Sequence, residues 1–284
     1  MGNYYVGLDA GSTYLKAALI KDNRVLGAEL LPTGIDCEET AAKLLEKIYM
    51  DEGITRDNIA VITATGYSRR SIGLADATIS EITAHACGVQ LTAPENVHPR
   101  LIIDIGGQDS KIISLGLDGH IVNFTMNDKC AAGTGKFLEV VADLLETTID
   151  QIASLAKEST DPCQINSTCA VFAQTEVISL LAQKKSRNDI LAGMHISMAN
   201  RIAKLARKYK SDGDVLMTGG GANNDALRSA LEDELMCDIY KANYPQFNGA
   251  IGAALIGMQN AEKEFKSYEE TENHKGTIQK FTGR

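Results

Sequence analysis

Two short segments of the chain place an aspartate just before a glycine turn and a lysine seven residues after that aspartate. Asp9 and Lys16 mark the first segment, and Asp104 and Lys111 mark the second. Backbone N–H groups of such a turn can bind an anion, and a carboxylate at the end of a strand can hold a metal ion through water. One such turn alone would be an ordinary hairpin. Two that face each other could clamp the phosphates and Mg²⁺ of one nucleotide.

The two segments belong to a repeated unit. Aligning Asp9 with Asp104 also aligns their glycines and their lysines, and an apolar strand precedes each motif. A second strand and a turn follow in both copies, and the second turn contains Asp118 and Gly119, a pair typical of hairpins. The repetition predicts a duplicated β-sheet domain. The two lysines are either neighbours of the phosphates or exposed strand residues.

A third glycine-rich segment, DVLMTGGGANNDALRSALEDEL at 214–235, predicts a strand, a loop that a ligand can approach closely, and a helix. It resembles a dinucleotide-binding fingerprint, but Asn224 occupies the position of the third glycine, and the chain that follows is too short for the rest of that fold. Likewise, CAAGTGKF at 130–137 imitates a P-loop, but Phe137 replaces the hydroxyl residue that binds Mg²⁺. We therefore reject both motifs.

Length and composition restrict the class of protein. The chain has 284 residues with 28 basic and 37 acidic side chains, a net charge of −9, which argues against non-specific nucleic-acid binding. Two lobes are expected at this length. The sequence contains neither a run of about 18 apolar residues nor a signal peptide at its start. We expect a cytoplasmic protein whose six cysteines are reduced.

Hydrophobic periodicity and turn residues predict the elements that must position these motifs. Helices are expected at 38–52, 81–87, 134–146, 148–156, 170–184, 188–209, 222–235 and 248–264. Further strands are expected at 59–65, 214–218 and 237–240. Residues 265–284 are polar and without period, which indicates a disordered tail.

The motifs resemble those of a known group of proteins over about residues 4–262. DAGSTYLKAAL, IDIGGQDSKI and TGGGANNDALRSALE resemble the phosphate-1, phosphate-2 and adenosine segments of the actin/Hsp70/sugar-kinase ATPase superfamily. MNDKCAAGTGKFLEV and INSTCAVFAQTEVISLLA resemble the signature segments of the ATP-dependent activators of 2-hydroxyacyl-CoA dehydratases. Those activators are related to the ATPase subunits of benzoyl-CoA reductases.

The resemblance implies an α/β fold of two lobes, the actin-like or ribonuclease H-like ATPase fold with duplicated β-sheet domains. Lobe I would comprise residues 1–97 and 248–264, and lobe II residues 98–247. The implied catalytic residues are Asp9, Asp104 and Gln108, with both aspartates holding Mg²⁺ through water. The implied ATP-binding residues are Gly11, Ser12, Thr13, Lys16, Gly106 and Gly107 at the phosphates, and Gly219, Gly220 and Gly221 at the adenosine. No base for the attacking water is identified.

The resemblance also implies a homodimer that holds one 4Fe–4S cluster at its interface through Cys130 and Cys169 of each chain. The residues agree with this, since such a cluster needs four thiolates, the chain has no CxxC pair, and a two-fold axis doubles two cysteines. Two buried core cysteines are the alternative. Cys163 competes with Cys169 but lies outside the matching segment, and we interpret it as a loop residue. The remaining three, Cys37, Cys87 and Cys237, are expected to pack in the core.

The expected function is ATP-driven, low-potential electron transfer. Reduced ferredoxin or flavodoxin would supply the electron, an iron–sulfur dehydratase or related reductase would accept it, and an oxygen-sensitive cluster would require an anaerobic host. A small-molecule kinase of the same fold and a non-redox, ATP-gated regulator are the alternatives. On the predicted helix after residue 80, Glu81 could face the nucleotide cleft, whereas His85 is interpreted as structural.

Overall fold

The computed structural model of the chain describes residues 4–128, 133–166, 170–209 and 212–263. Within these ranges the strands form two β-sheets of five strands each. The first sheet consists, in spatial order, of Arg24–Pro32 (β3), Tyr14–Lys21 (β2), Tyr4–Ala10 (β1), Ile59–Thr65 (β4) and Ala77–Thr78 (β5). The second consists of Ile239–Lys241 (β10), Asp214–Thr218 (β9), Pro99–Ile105 (β6), Ser110–Leu115 (β7) and Ile121–Asn127 (β8).

The two sheets repeat one arrangement of strands. In the first sheet β1 pairs antiparallel with β2 and parallel with β4, while β2 pairs antiparallel with β3. In the second sheet β6 pairs antiparallel with β7 and parallel with β9, while β7 pairs antiparallel with β8. The register sets Asp9 opposite Lys16 and Asp104 opposite Lys111. The duplicated sheet domain predicted from the repeated motif is therefore confirmed.

The described residues also contain eight α-helices, most of them within a few residues of the predicted bounds. They are Cys37–Glu52 (α1), Glu81–Thr92 (α2), Gly135–Leu144 (α3), Ile152–Lys157 (α4), Ala170–Ala182 (α5), Arg187–Ala206 (α6), Asp225–Leu235 (α7) and residues 248–263 (α8). The predicted end of α2 at residue 87 is wrong. Helix α2 continues through Gly88 to Thr92, because Gly88 packs against α8 rather than ending the helix.

The second unit carries a long helical insertion. Between β8 and β9 the described chain forms α3, α4, α5 and α6, whereas between β3 and β4 it forms α1 and a short 3₁₀ turn. Both predicted cysteine segments fall within this insertion. The insertion packs on one face of the second sheet, together with α7, and builds the larger apolar core of the molecule.

The middle of strand β6 is a run of three apolar residues, Leu101–Ile103, because both faces of the second sheet are covered. On one face Leu101 and Ile103 lie in the core that α6 and α7 share with the insertion. On the other face Ile102 packs against Ala86 and Val89 of α2. A strand that is buried on both sides reads as a continuous apolar run rather than as an alternation.

Helices α2 and α8 cross in very close contact between the two sheets. A Cβ atom on Gly252 would lie 1.8 Å from the carbonyl oxygen of Ala84, and one on Gly88 would lie 2.1 Å from that of Asn248. Helix α8 approaches the first sheet equally closely, since a Cβ on Gly7 would lie 1.8 Å from the Ala250 oxygen. Through this crossing α2, which packs on the second sheet, is joined to α8, which packs on the first.

No helix in the described ranges is both long enough and apolar enough to cross a membrane.

We expect the Gly252→Ala substitution to destabilise the fold by about 3 kcal/mol, because the added methyl group overlaps a backbone oxygen that cannot move aside. Chemical denaturation followed by circular dichroism measures the loss. Gly27→Ala is the matched control. A Cβ atom there meets only the Glu52 side chain at 3.5 Å, so its cost stays below about 1 kcal/mol. Equal losses in the two variants would contradict a tight crossing.

Candidate functional site

A large cleft of about 1040 Å³ lies where the glycine turns of the two sheets meet. All residues that the sequence assigned to nucleotide binding line this cleft. They are Asp9, Gly11, Ser12, Thr13 and Lys16 from the first sheet, and Asp104, Gly106, Gly107, Gln108, Gly219, Gly220 and Gly221 from the second. The fold therefore brings together three segments that are far apart in sequence.

The two Asp–Gly turns face each other across the cleft. A Cβ atom on Gly107 would lie 2.4 Å from the Thr13 hydroxyl oxygen, so a side chain at that position would collide with the opposite turn. The Thr13 hydroxyl is buried and forms no hydrogen bond in the described part of the chain. The turns thus leave a narrow gap with polar walls, as a bound phosphate would require.

Each aspartate is paired with the lysine opposite it. The Lys16 ammonium donates to Asp9 Oδ2 at 3.1 Å, and the Lys111 ammonium to Asp104 Oδ2 at 3.4 Å. The seven-residue spacing produces both pairs, because a two-strand hairpin with that spacing sets the two residues directly opposite each other.

The two lysines differ in what else surrounds them. Lys111 is 1% exposed and also contacts Glu81 and Asp109, each at 2.8 Å. Burial alone would lower the pKa of Lys111, but these carboxylates and Asp104 outweigh it and hold the pKa well above its usual range. The Lys16 side chain is 19% exposed, lines the cleft and pairs with Asp9. The interpretation of both as exposed strand lysines is therefore wrong for Lys111.

The Asp104 carboxylate is 2% exposed and remains ionised. Burial raises its pKa, but His85 and Lys111 more than compensate, so the pKa lies below its usual range. The Thr218 hydroxyl at the end of β9 donates to Asp104 Oδ1 at 2.8 Å. Neutralising neighbours on three elements thus keep a buried negative charge available at the cleft.

One oxygen of the Asp9 carboxylate has no hydrogen-bond partner among the described residues. This oxygen, Oδ1, is buried. Gly66 and Gly249 flank the carboxylate. A Cβ atom on Gly66 would lie 2.6 Å from Oδ1, and one on Gly249 would lie 3.2 Å from Oδ2. A carboxylate oxygen that is left free in such a cradle fits the water shell of Mg²⁺, which binds through one or two carboxylates and retains several waters.

Helix α3 is tied directly to the second glycine turn. The amide of Gly135 donates to the Gly106 oxygen at 2.9 Å, and the amide of Lys136 donates to the Gly107 oxygen at 2.8 Å. Two of the unpaired N–H groups at the helix start are satisfied in this way. Any displacement of the turn is therefore passed to the beginning of α3.

The glycine loop after β9 is shaped by close backbone contact. Gly219 has a φ of 80°, and a Cβ there would lie 2.3 Å from the Ile105 oxygen, so only glycine fits. Asn224 ends the loop and caps α7, accepting from the Leu227 amide at 3.0 Å. This cap explains why α7 begins at residue 225 and not at 222 as predicted.

The NH₂ group of the Asn224 side chain contacts a buried histidine that no sequence motif singled out. Asn224 Nδ2 lies 2.9 Å from His195 Nε2, and His195 Nδ1 lies 2.7 Å from the Leu191 oxygen. The carbonyl fixes the proton on Nδ1, so Nε2 accepts from Asn224. The Asn224 amide thus uses its oxygen for the helix cap and one N–H for His195, and it joins the loop to α6.

Glu81 and His85 lie one turn apart on α2, and both line the cleft. The expectation that Glu81 faces the cleft agrees with its position. Burial raises the pKa of Glu81 above its usual range, while the neighbouring Lys111 opposes that effect. His85 is buried, as a structural histidine would be, but its ring also borders the cleft floor. The spacing of four residues between Glu81 and His85 puts both side chains on one face of a helix, and this was the sequence signal that both face the cleft.

The predicted cluster ligands Cys130 and Cys169 lie outside the described residues, each shortly before a described helix, α3 and α5 respectively. Of the described cysteines, Cys163 lies in a loop, as expected, and is buried there. Burial raises the pKa of the Cys87 thiol to about 11. In the described part of the chain no group of three or more His, Cys, Asp or Glu side chains is arranged to hold a metal ion.

Helix α5 exposes an apolar surface. Most of its residues are apolar, yet only Ala173 and Val177 are buried. The large apolar side chains that it leaves exposed are Val171, Phe172, Ile178 and Leu181. An exposed apolar patch of this kind commonly marks an interaction surface.

Comparison with known proteins yields one family and several full-length relatives. Residues 6–257 match the BadF/BadG/BcrA/BcrD ATPase family. The activator of lactoyl-CoA dehydratase from Anaerotignum propionicum is 44% identical over 262 residues, covering 92% of this chain and 100% of the relative. The solved activator of 2-hydroxyisocaproyl-CoA dehydratase from Clostridium difficile, which contains ADPNP, has 39% identity and a TM-score of 0.86, covering 93% of this chain and 97% of that one.

A more distant likeness concerns the fold alone. The ROK hexokinase from Thermus thermophilus has a TM-score of 0.50 at 16% identity, over 92% of this chain and 99% of that one. Together with the closer structure, it shows that the two sheets adopt the actin-like, sugar-kinase fold.

We expect Lys111→Met to destabilise the unliganded protein by about 3–5 kcal/mol, because it leaves buried carboxylates without their cation. Lys16→Met is the matched control and costs only about 1–2 kcal/mol, since it unpairs one carboxylate at the cleft wall. Chemical denaturation in the absence of nucleotide gives both values. Equal losses would contradict the unequal roles of the two lysines.

We expect the stability of the fold to decrease as the pH falls below about 6.5, because burial lowers the pKa of His195. The unfolded chain then takes up a proton that the folded chain excludes, at up to about 1.4 kcal/mol per pH unit. Denaturation curves between pH 5 and pH 8 (about the range of histidine titration) measure this slope. His195→Gln removes part of the slope, whereas His98→Gln at an exposed site leaves it unchanged. An unchanged slope in His195→Gln would contradict the assignment.

Proposed function

The chain belongs to the BadF/BadG/BcrA/BcrD ATPase family, and on that premise we propose that it is the ATP-hydrolysing activator of a 2-hydroxyacyl-CoA dehydratase. The observation that carries the proposal is the similarity to the activator of lactoyl-CoA dehydratase, at 44% identity over that protein's whole length. A second full-length relative is the (R)-2-hydroxyglutaryl-CoA dehydratase activating ATPase of Acidaminococcus fermentans. The likeness to a hexokinase is one of fold alone and supports no phosphate acceptor.

In this proposal the cleft binds Mg·ATP between the two sheets. Asp9 and Asp104 hold the ion through water, and Mg²⁺ supplies the positive charge that offsets charge on the phosphates. Gly11, Ser12, Thr13, Gly106 and Gly107 form the phosphate turns, and Gln108 orients the attacking water. Lys16 adds its charge to the phosphates, since it alone of the two paired lysines is not enclosed by further carboxylates. Gly219, Gly220 and Gly221 line the adenosine.

The lobes are the moving parts in this proposal. Lobe I comprises residues 1–97 and 248–264, and lobe II residues 98–247. The close crossing of α2 and α8 provides the pivot between them, because it is where elements of the two sheets meet. A nucleotide shifts the balance between open and closed lobes only by the difference in its affinity for the two states.

The redox centre of the proposal is one 4Fe–4S cluster held by Cys130 and Cys169 of each chain in a homodimer. When bound, it supplies one-electron chemistry at low potential. The exposed apolar face of α5 supports the dimer, since that helix begins directly after Cys169. The two hydrogen bonds from α3 to the turn at Gly106 and Gly107 support coupling, because they link the phosphate site to the helix that follows Cys130.

The partners in the proposal follow from this chemistry. Reduced ferredoxin or flavodoxin is the electron donor, and an iron–sulfur dehydratase or a related reductase is the acceptor. The protein acts in the cytoplasm of an anaerobic organism, because a cluster exposed between two subunits reacts with oxygen.

The test is the iron and acid-labile sulfide content of anaerobically purified protein, with visible and EPR spectra and ATPase activity. We expect about two iron atoms per chain, one four-iron cluster per dimer, bleached by air. The cluster should be lost in Cys130→Ser and in Cys169→Ser and retained in Cys163→Ser, the matched control.

Three results would overturn the proposal. An iron-free protein that still hydrolyses ATP after cluster reconstitution would exclude the redox role. Docking to the dehydratase that survives both cysteine substitutions would favour a non-redox regulator, and transfer of the γ-phosphate to a sugar would favour a kinase.

A further inference from the structure

One buried side chain at the floor of the cleft has no role in the scheme above. His85 on α2 is 4% exposed, yet its Nε2 forms no hydrogen bond with any described residue. Buried polar groups are nearly always hydrogen-bonded, and leaving one unpaired costs about 1–3 kcal/mol. An unpaired ring nitrogen at the edge of an open cleft points to a partner that the bound state supplies.

The neighbours of the ring determine which nitrogen carries the proton. The Thr92 hydroxyl donates to Asn248 Oδ1 at 2.7 Å, and Asn248 Nδ2 donates to the His85 backbone oxygen at 3.0 Å. These two bonds fix the orientation of the Asn248 amide and direct its N–H groups toward His85 Nδ1, 3.2 Å away. Nε2 carries a proton and is a donor both in the neutral ring, where Nδ1 accepts from Asn248, and in the positively charged ring, where Nδ1 faces the Asp104 carboxylate.

The position of Nε2 is set by the start of α8. A Cβ atom on Gly249 would lie 3.2 Å from His85 Nε2 and also 3.2 Å from Asp9 Oδ2. On the other side of the ring, Nδ1 lies 3.5 Å from Asp104 Oδ1. His85 therefore stands between the two aspartates that come from different sheets. The floor of the cleft holds two unpaired groups of opposite character, a donor on His85 and an acceptor on Asp9.

We propose that His85 is a further binding residue of this site, whose Nε2–H donates to an oxygen atom of bound Mg·ATP next to Asp9. The acceptor is either a water molecule of the Mg²⁺ shell or a phosphate oxygen. The proposal rests on the proposed ATP site. It assigns the ring the role of a donor rather than of a base, since Nε2 already carries the proton. Helix α2 then presents two side chains to the cleft, with Glu81 bound to Lys111 and His85 directed to the ligand.

Two substitutions separate the two ring nitrogens. In His85→Gln the side-chain amide can replace the Nε2 donor, whereas in His85→Asn it can replace only the contacts of Nδ1. We expect His85→Gln to keep the dissociation constant of Mg·ATP within about threefold and His85→Asn to weaken it about tenfold or more, as expected for a lost hydrogen bond to a charged group. Calorimetric titration measures binding, and thermal unfolding verifies that both variants fold.

Titration with ATP in EDTA distinguishes the two acceptors. If the acceptor is a phosphate oxygen, His85→Asn weakens binding with and without Mg²⁺. If it is a metal-bound water, the loss occurs only with Mg²⁺. Unchanged Mg·ATP binding in a folded His85→Asn variant would overturn the proposal and leave the ring a packing role.

A measurement on the wild-type protein covers the case in which a variant does not fold. In protein labelled with ¹⁵N-histidine, the Nε2 signal of His85 should show the protonated form and should shift when Mg·ATP is added. A signal that stays unchanged at saturating nucleotide would overturn the proposal. Wild-type protein that binds no ATP at all would instead overturn the proposed function on which this inference rests.

Discussion

The structure depends on keeping the buried Asp104 carboxylate charged at the wall of the cleft. An isolated buried charge is unfavourable. The Asp104 carboxylate is stable as a buried ion only because Lys111 pairs with it and the Thr218 hydroxyl donates to it. The buried Lys111 ammonium is in turn paired with Glu81 on α2 and with Asp109 on the second glycine turn. A charge on one strand thus needs partners on a turn and on a helix. The positions of α2 and of the second glycine turn follow from this pairing of charges.

The pairing also explains why α2 and α8 cross so closely. Glu81 and His85 can reach the cleft floor only if α2 passes directly beneath it, and the first residues of α8 occupy the same space. Glycines at residues 88 and 252 remove the side chains that would keep the helices apart. The close crossing thus lies directly beside the charged residues of the site.

Several of these features could be predicted from the sequence. The spacing of Asp9 and Lys16, repeated later in the chain, was sufficient to predict the duplicated sheets, since the register of a hairpin depends only on local spacing. The burial of Lys111 could not be predicted, because Glu81 approaches it from an element distant in sequence. The continuation of α2 through Gly88 could not be predicted for the same reason, since only the contact with α8 shows why a glycine lies at that position. The cysteine ligands stay predictions, because Cys130 and Cys169 fall outside the described residues.

The insertion between β8 and β9 separates inherited from acquired parts of the molecule. The two sheet units repeat one arrangement of strands, and each constrains the other because their turns line the same cleft. The insertion has no counterpart in the first unit, and both cysteine segments lie in it. It is connected to the glycine loops through a few hydrogen bonds, at the start of α3 and at His195. The helices of the insertion can therefore diverge in what they carry while the turns that line the cleft stay the same, and under the proposed function one ATP-driven motion then serves different outputs in different descendants.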